Sequence, residues 1–366
     1  MHAQRSGRRA RRVAAAGIIA LAIAVFALAL AARAGAGAGA GVIGASRFAP
    51  PRAAPSDVGS GDTTAARGTR VLMRNVGFHL DDQIVMRIRY LEGTMRSKRP
   101  GTPVFFDDKA GFVIHIDRAS VGLTTEDMTL LLNRYVFGYR GSPLRDLRVS
   151  TAGGRIKQRG ILHKVVDIPF EITAELSVTP DGHIRLHPVA TRIFDVDGAG
   201  LMRALNLTLE KLLDLSKAKG ASVKGNDLFL APDSIVPPPT IEGRVTAVRV
   251  VGDQIVQQFG DSAAGPGRPA PLEPPDTSSH NFMYYRGGLL RFGKLIMLDA
   301  DMQIEDADER DPFDFAIDHY NVQLVAGYSR STPEGGLEVF MPDYDDATKM
   351  LAARRTLAPP RPGGRP

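Results

Sequence analysis

Residues 167–178 read DIPFEITAELSV, and this stretch decides the fold. Apolar side chains occupy every second position from Ile168 to Val178. Because successive side chains of a strand point to opposite faces of a sheet, the alternation predicts a strand with one apolar and one polar face. Its twelve residues, at about 3.3 Å each, span roughly 40 Å, which is about twice the usual strand length.

The same period of two recurs in other parts of the chain after residue 70. It is visible at residues 84–90, 112–116 and 156–162, and Pro180-Asp181-Gly182 supplies a turn before a return strand from Ile184. One apolar and one polar face are typical of antiparallel sheets that are packed on one side. The pattern predicts an α+β protein in which a long, curved antiparallel sheet wraps around one or two amphipathic helices.

Two helices are predicted to supply the apolar faces that cover this sheet. Thr124 and Asp127 form a capping-box-like start for the first helix, and its apolar stripe contains Met128, Leu131, Leu132 and Tyr135. The second helix is predicted over about 197–218, with a stop at Gly220. Its apolar side contains Leu201, Met202, Leu205, Leu209, Leu212 and Leu213.

An acidic run lies in the C-terminal part of the chain. Apolar residues at even positions predict a second very long strand over 290–304, with Asp299, Asp301 and Glu305 on its opposite, solvated side. Two other interpretations of residues 299–318 stay open. Paired carboxylates could hold a cation, or they could act as acid and base on a sugar.

Composition excludes several classes of protein. The 366 residues include no Cys, which excludes disulfides, thiolate metal sites and thiol nucleophiles. The net charge is +6, but residues 1–34 contain six Arg and no acidic residue, so the rest of the chain is neutral in sum. A nucleic-acid partner is therefore not expected.

The first residues have the layout of a secretion signal. An Arg-rich start precedes an uncharged run over 13–32, which is long enough either for a signal-peptide core or for a membrane anchor. Both interpretations stay open. Positive charge before the run places the rest of the chain outside the cytoplasm, in the periplasm or on the outer side of the inner membrane.

Changes in composition along the chain predict six segments. These are a signal peptide or anchor (1–34), a flexible Gly/Ala/Pro linker (35–69), an α+β domain (70–260), a Pro-rich linker or insertion (261–279), C-terminal strands and a helix that complete the domain (280–346), and a disordered tail (347–366).

No motif in the sequence indicates catalysis or a cofactor. His183 and His187 are four residues apart, but on a strand this spacing separates them by roughly 13 Å, too far to share one metal ion. The motifs of serine hydrolases, zinc peptidases and phosphate-binding loops are missing. We therefore expect a protein that is not an enzyme and needs neither a cofactor nor a metal.

Residues 160–260 resemble the LmeA-like periplasmic phospholipid-binding proteins, which belong to the tubular-lipid-binding (TULIP-like) class. The stretches that carry the resemblance are VVDIPFEITAELSV (165–178), TPDGHIRLHPVA (179–190), GLMRALNLTLEKLL (200–213), and VKGNDLFLAP with PPPTIEGRVTAVRVVGDQIVQQFG (223–232 and 237–260). The resemblance implies a curved sheet on a helix, lipid binding without chemistry, and a role in envelope maintenance or lipid transfer. Residues 280–345 depart from the family pattern.

The apolar faces outnumber the surfaces that the predicted helices can cover, which favours an elongated tube for a lipid or another apolar ligand. Burying a sixteen-carbon chain would contribute roughly 12 kcal/mol at ~0.8 kcal/mol per CH₂. The expected lining residues are Met128, Leu131, Tyr135, Leu201, Leu205, Leu209, Leu212, Ile168, Phe170, Ile172 and Leu176. The alternatives are an envelope scaffold with a packed core and an acidic partner-binding strand, or a carboxylate-based hydrolase.

Overall fold

The computed structural model describes residues 68–163, 167–193, 196–197, 208–260 and 270–357. The predicted signal or anchor segment 1–34 lies outside these residues, as does nearly all of the predicted linker that follows it. Within the described residues, no helix combines the length and apolar character needed to cross a bilayer.

The chain divides into two compact units. Of the first unit, Met1–Ser60 with His163–Ile168, the structure describes only three residues, and among them His163 Nδ1 lies 2.6 Å from Asp167 Oδ1. The second unit, Gly61–Leu162 with Pro169–Pro366, contains the remaining described residues.

Strands make up most of the described chain, and most of their pairings are antiparallel, as the alternation predicts. In chain order the strands are β1 (Thr69–His79), β2 (Val85–Ser97), β3 (Val104–Phe105), β4 (Phe112–Thr124), β5 (Leu144–Ala152), β6 (Arg155–His163), β7 (Asp167–Val178), β8 (Ile184–Ile193), β9 (Val196–Asp197), β10 (Ala221–Lys224), β11 (Asp227–Leu230), β12 (Thr240–Glu242), β13 (Val245–Val251), β14 (Gln254–Phe259), β15 (Phe282–Arg286), β16 (Leu290–Phe292), β17 (Leu295–Met297), β18 (Asp301–Asp306), β19 (Phe313–Ala316), β20 (Tyr328–Ser331) and β21 (Leu337–Met341).

Helices are few among the described residues, and all but the last are short. They are α1 (Thr125–Leu131), α2 (Leu209–Leu212), α3 (Pro232–Ile235), α4 (Tyr320–Ala326) and α5 (Tyr344–Leu357), with a 3-10 turn at Lys109–Gly111 and a π-helical turn at Leu132–Val136 directly after α1.

The first sheet is curled into a half-barrel. Its strands follow the order β13-β14-β4-β2-β1-β15-β18-β21-β20, with β12 beside β4 and β19 beside β1. The pairing of β2 with β4 shifts register twice, at Ile88/Tyr90 and at Glu92/Gly93. Such irregularities bend and twist a strand pair, and at the second one a Cβ on Gly93 would lie 2.2 Å from the backbone oxygen of His115. Only glycine allows this close approach.

The second sheet has the order β10-β11-β8-β7-β6-β5, with β9 beside β8. Its register aligns apolar side chains in rows across four strands. One row joins Val223, Leu228, Leu186 and Leu176. The strand pattern predicted from residues 167–178 thus continues across its neighbours.

The long strand predicted over 290–304 is wrong, because this segment forms parts of two sheets. β16 and β17 form a hairpin around Gly293, whose φ of 57° suits a tight turn, and with β3 they make a small third sheet. Ile296 and Leu298, expected on the buried face, are 55% and 73% exposed. The chain joins the first sheet again only at β18.

The second predicted helix, 197–218, can be compared with the structure only at its two ends, and α2 is the helical part of it among the described residues. Residues 198–207 lie outside the described part, but Val196–Asp197 is a strand that pairs with β8, and α2 begins only at Leu209. Thr208 has extended backbone angles and caps α2 by accepting a hydrogen bond from the Lys211 backbone. A residue in this conformation ends any helix that precedes it.

The disordered tail predicted from residue 347 is wrong over its first part. α5 extends from Tyr344 to Leu357, and Ala347 within it is fully buried. Residues 358–366 lie outside the described part. The helix predicted within residues 280–346 corresponds to α4.

A segment of the predicted Pro-rich insertion lies against the outer face of the first sheet. Asp276 and Gln303 exchange two hydrogen bonds of 2.9 Å between the Asp276 backbone and the Gln303 amide. Leu272 packs on a small cluster that includes Tyr284. Glu305, predicted to be solvated, is only 4% exposed, and its Oε1 has no partner in the described chain.

Glu305 should make the protein less stable as the pH rises. Burial, Asp276, Glu338 and Glu309 raise its pKa from 4.5 to about 7, whereas Arg330 lowers it. The unfolded chain loses this proton at a lower pH than the folded protein. The contribution of Glu305 to the free energy of unfolding is therefore fully present below pH 4.5 and is lost as the pH rises to about 7. The Glu305→Gln variant cannot ionise at this position. Its free energy of unfolding should fall less between about pH 5 and 8, by roughly 1 to 3 kcal/mol in urea titrations.

The matched control is Glu171→Gln. Arg159 and Lys157 lower the pKa of Glu171 from 4.5, so this carboxylate is ionised throughout the range. The control should keep the wild-type pH dependence. A Glu305→Gln variant with an unchanged pH dependence would show that Glu305 does not cause the effect.

Candidate functional site

An apolar cavity lies between the second sheet and the elements that face it. Its volume is about 30 Å³. The lining includes Leu176 and Leu186 from the sheet, Met128 and Leu132 from α1 and the turn after it, Ile235 from α3, and Ile255 from β14. A second cavity of about 30 Å³ on the side of the first sheet shares Ile235 with it.

The sequence fixes the start of α1 next to this cavity. Thr124 and Asp127 form the predicted capping box, so each side chain bonds the backbone of the other. Asp127 is buried, and it also accepts hydrogen bonds from Arg87 at 2.6 Å and from the Val85 backbone at 3.1 Å. These bonds hold the helix against β2 and place Met128 at the cavity.

Two polar side chains attach α1 and the following turn to β5. Thr129 Oγ1 accepts a hydrogen bond from the Val149 backbone at 2.9 Å. Asn133 accepts one from the Leu147 backbone at 3.0 Å and donates one to the same residue at 2.8 Å. Side chains of the helix and the following turn therefore make hydrogen bonds with the backbone of β5 that a neighbouring strand would otherwise make.

The second sheet is less completely covered than the first. Several apolar side chains that pack toward the core from it are only partly buried, namely Val149, Leu162, Phe170, Ile172, Leu176, Val178, Val223 and Leu228. The inward residues of the central strands of the first sheet, such as Val71, Ile88 and Val121, are buried. We call the partly buried residues Phe170, Ile172 and Leu176 of β7 the apolar strip.

Two amides are the polar members of the cavity lining. Gln158 on β6 is 7% exposed and Gln257 on β14 is 5% exposed. Within the described residues neither side chain has a hydrogen-bond partner, and Oε1 of Gln257 is fully enclosed. Gln257 also lines the second cavity.

The opposite face of the second sheet is polar, and several of its charges are paired. Arg155 pairs with Glu175 at 2.6 Å, and Arg185 and His187 both lie 2.6 Å from the carboxylate of Asp227. His187 therefore shares the carboxylate of Asp227 with Arg185 on this face. Within the described chain, no group of three or more His, Asp or Glu side chains could hold a metal ion.

The structure brings some of the predicted lining residues together and separates others. Met128 and Leu176 line one cavity, and Phe170 and Ile172 lie on the same face as Leu176. Ile168 is partly buried at the start of β7. The predicted residues Leu201 and Leu205 lie outside the described part.

The other predicted lining residues do not touch this cavity. Leu131 is fully buried in the core. Tyr135 donates its hydroxyl to Asp81 at 2.6 Å, and burial together with this carboxylate raises the pKa of Tyr135 to about 12. Leu209 and Leu212 belong to the short α2, where Leu212 is buried.

Sequence reasoning missed the two amides as site residues. Gln158 lies on the same strand face as Ile156, and this polar residue on an apolar face was a usable signal. Gln257 was harder to recognise, because β14 reads QIVQQF and only its register shows which Gln faces inward.

The two apolar cavities lined by described residues are much smaller than the elongated tube that the sequence predicts. Each apolar cavity has about the volume of one water molecule, whereas ligand pockets span roughly 300–1,000 Å³. A pocket of about 330 Å³ near Arg96 and Thr102 has a mixed polar and apolar lining.

Two neighbouring members of the acidic run, Glu305 and Asp306, do not form an acid–base pair. Glu305 and Asp306 are adjacent on β18, so they face opposite sides of the sheet and cannot meet one substrate. Burial is the largest cause that raises the pKa of Asp306 to about 7. Asp301 is paired with Arg286 and accepts a hydrogen bond from Tyr284 at 2.9 Å.

Comparisons with models of known protein families, with curated proteins and with solved structures found no significant match to this chain. The resemblance to the LmeA-like proteins therefore stays a prediction. The function and localisation that it implies stay predictions as well.

The bonds of Asp127 should be essential for the position of α1. Asp127→Ala removes the capping box and leaves Arg87 without its buried partner, so we expect a loss of about 2 to 3 kcal/mol in the free energy of unfolding. Urea denaturation measures this loss. Glu126→Ala is the matched control, because Glu126 is exposed in the same helical turn. Equal losses in the two variants would contradict this role of Asp127.

Proposed function

We propose that this protein binds the acyl chain of a membrane lipid on the apolar strip, without chemical turnover. The observation that supports the proposal is the partial burial of the inward face of the second sheet, beside a first sheet whose inward face is closed. In this proposal the second sheet is the curved sheet expected from the sequence, and α1 is the helix on which it wraps.

A mismatch in length limits how much of the strip α1 can cover. α1 and the π-helical turn Leu132–Val136 together have twelve residues, which span about 18 Å at 1.5 Å each. β7 also has twelve residues but extends over roughly 40 Å. The helix can therefore cover only part of the strand.

The strip has the dimensions of an acyl chain. From Phe170 to Leu176 it extends over six residue steps, or about 20 Å. One acyl chain spans about half of the ~30 Å hydrocarbon core of a bilayer, which is about 15 Å. A single chain could therefore lie along β7 for its whole length.

The magnitude of the expected binding energy points to action at a membrane surface. A sixteen-carbon chain that is fully buried gains roughly 12 kcal/mol, but a chain with one side on the strip gains only about half of that. A bilayer already buries the chain completely. The strip would therefore bind an acyl chain that has been displaced from the bilayer at the membrane surface. This agrees with the predicted N-terminal signal or anchor.

The two other interpretations of the sequence have less support. A partner-binding acidic strand needs several free carboxylates. Of its three predicted acids, only Asp299 is exposed and unpaired within the described chain, whereas Asp301 is paired and Glu305 is buried. A hydrolase needs two carboxylates at one cleft, and the adjacent acids of β18 face opposite sides. Lipid binding is the function that is consistent with both the apolar strip and these acids.

Neighbouring residues of β7 allow a matched test. Ile172 faces inward on the strip and Thr173 faces the opposite side. Ile172→Asp should reduce the lipid that co-purifies with the full-length protein at least fivefold, because a carboxylate on the strip is incompatible with an acyl chain. Thr173→Asp should keep the wild-type amount. Mass spectrometry of organic extracts measures both, and wild-type protein without lipid would contradict the proposal.

A second measurement covers the case in which Ile172→Asp does not fold. The chain contains no Cys, so Ile172→Cys and Thr173→Cys each introduce a single reactive thiol. Vesicles of phosphatidylcholine and phosphatidylglycerol should slow the reaction of Ile172→Cys with a maleimide and leave Thr173→Cys unaffected. Equal effects of the vesicles on the two variants would count against an acyl chain on the strip.

A further inference from the structure

Gln158 and Gln257 face the same small cavity from opposite walls. Gln158 comes from the second sheet, and Gln257 comes from β14 of the first sheet. All other residues of the lining are apolar. The adjacent Gln258 faces the other side of β14 and donates a hydrogen bond to Ser120 at 2.8 Å. Of these two neighbouring amides, only the inward-facing Gln257 lacks a hydrogen-bond partner among the described residues.

Other buried amides in the described chain have partners. Gln303 exchanges two hydrogen bonds with the backbone of Asp276. Gln323 accepts one from the Ala316 backbone at 2.9 Å and donates to the backbone oxygens of Asp314 and Pro342. Gln158 and Gln257 differ from these buried amides.

An unpartnered buried amide costs about 1 to 3 kcal/mol, whereas leucine at the same position would remove this cost. Apolar binding sites typically contain a few polar groups that orient the ligand. Two unpartnered amides at one apolar cavity have the composition of such a site. The cavity of about 30 Å³ has room for one water-sized group.

We propose that Gln158 and Gln257 bind the uncharged polar end of a long-chain ligand, such as a hydroxyl, carbonyl or amide group. This inference rests on the proposed function, because the rest of the ligand would lie on the apolar strip. An amide both donates and accepts hydrogen bonds, so the pair can bind either kind of group. The cavity has no charged residue in its lining, so an ionised carboxylate or phosphate there would be buried without a counter-charge.

The position of the cavity connects it with the strip. Leu176 lines the cavity and is also the last residue of the strip. Leu228 and Val149 line the cavity as well, and both are partly buried. A long-chain ligand that lies along β7 would therefore place its polar end beside the two amides.

Two probes that differ in one hydroxyl group test this inference. Binding of radiolabelled dodecan-1-ol and of dodecane to the full-length protein is measured by equilibrium dialysis. Wild-type protein should prefer the alcohol by about five- to tenfold for one hydrogen bond. Gln158→Leu and Gln257→Leu should each reduce this preference, and the double variant should abolish it. Any detergent used to dissolve the probes takes up the same amount of each probe with every variant. This uptake therefore cancels when the variants are compared.

Gln258→Leu is the matched control, because it makes the same change one residue away on the opposite face. It should keep the preference for the alcohol. Equal binding of the two probes to wild-type protein would overturn the inference and leave the proposed function intact, since the amides would then hold only a structural water. Binding of neither probe would overturn the inference and the proposed function together.

Discussion

The attachment of α1 to β5 is the interaction on which the arrangement of the second sheet depends. Thr129 and Asn133 satisfy backbone groups of β5, while Asp127 connects the start of the helix to β2. These bonds fix a short helix against one end of a long sheet. Since a helix advances 1.5 Å per residue and a strand about 3.3 Å, a helix must have about twice the residues of a strand to cover it. α1 does not, and the apolar strip is the result.

The sequence predicted the features that depend on local periodicity. The alternation in residues 167–178 gives the two faces of β7, and the spacing of Thr124 and Asp127 gives the start of α1. Features set by distant contacts were not predictable in this way. Glu305 alternates like a solvated residue, but the segment near Asp276 covers it from outside the strand. Periodicity assigns a residue to a face, and it does not say what packs on that face.

The failures in helix and strand length have local causes that a hydropathy pattern overlooks. The even-numbered apolar positions of 290–304 continue across Gly293, where the backbone turns and a new strand begins. The Leu-rich pattern of 197–218 likewise continues across Thr208, which caps α2. In both cases one residue with a strong conformational preference outweighs the apolar period. The prediction of a tube has a different weakness, because pattern alone cannot distinguish a packed core from a cavity.

The two unpartnered amides link the energetics of the strip to its specificity. Burial of one side of an apolar chain is non-directional, so the strip alone would accept many chains in many positions. Hydrogen bonds to a polar end add a fixed register, because they require one atom at one place. The enclosed Oε1 of Gln257 carries a cost while it lacks a partner, and a suitable ligand would remove that cost on binding. Discrimination between ligands would then come from the cavity, whereas most of the affinity would come from the strip.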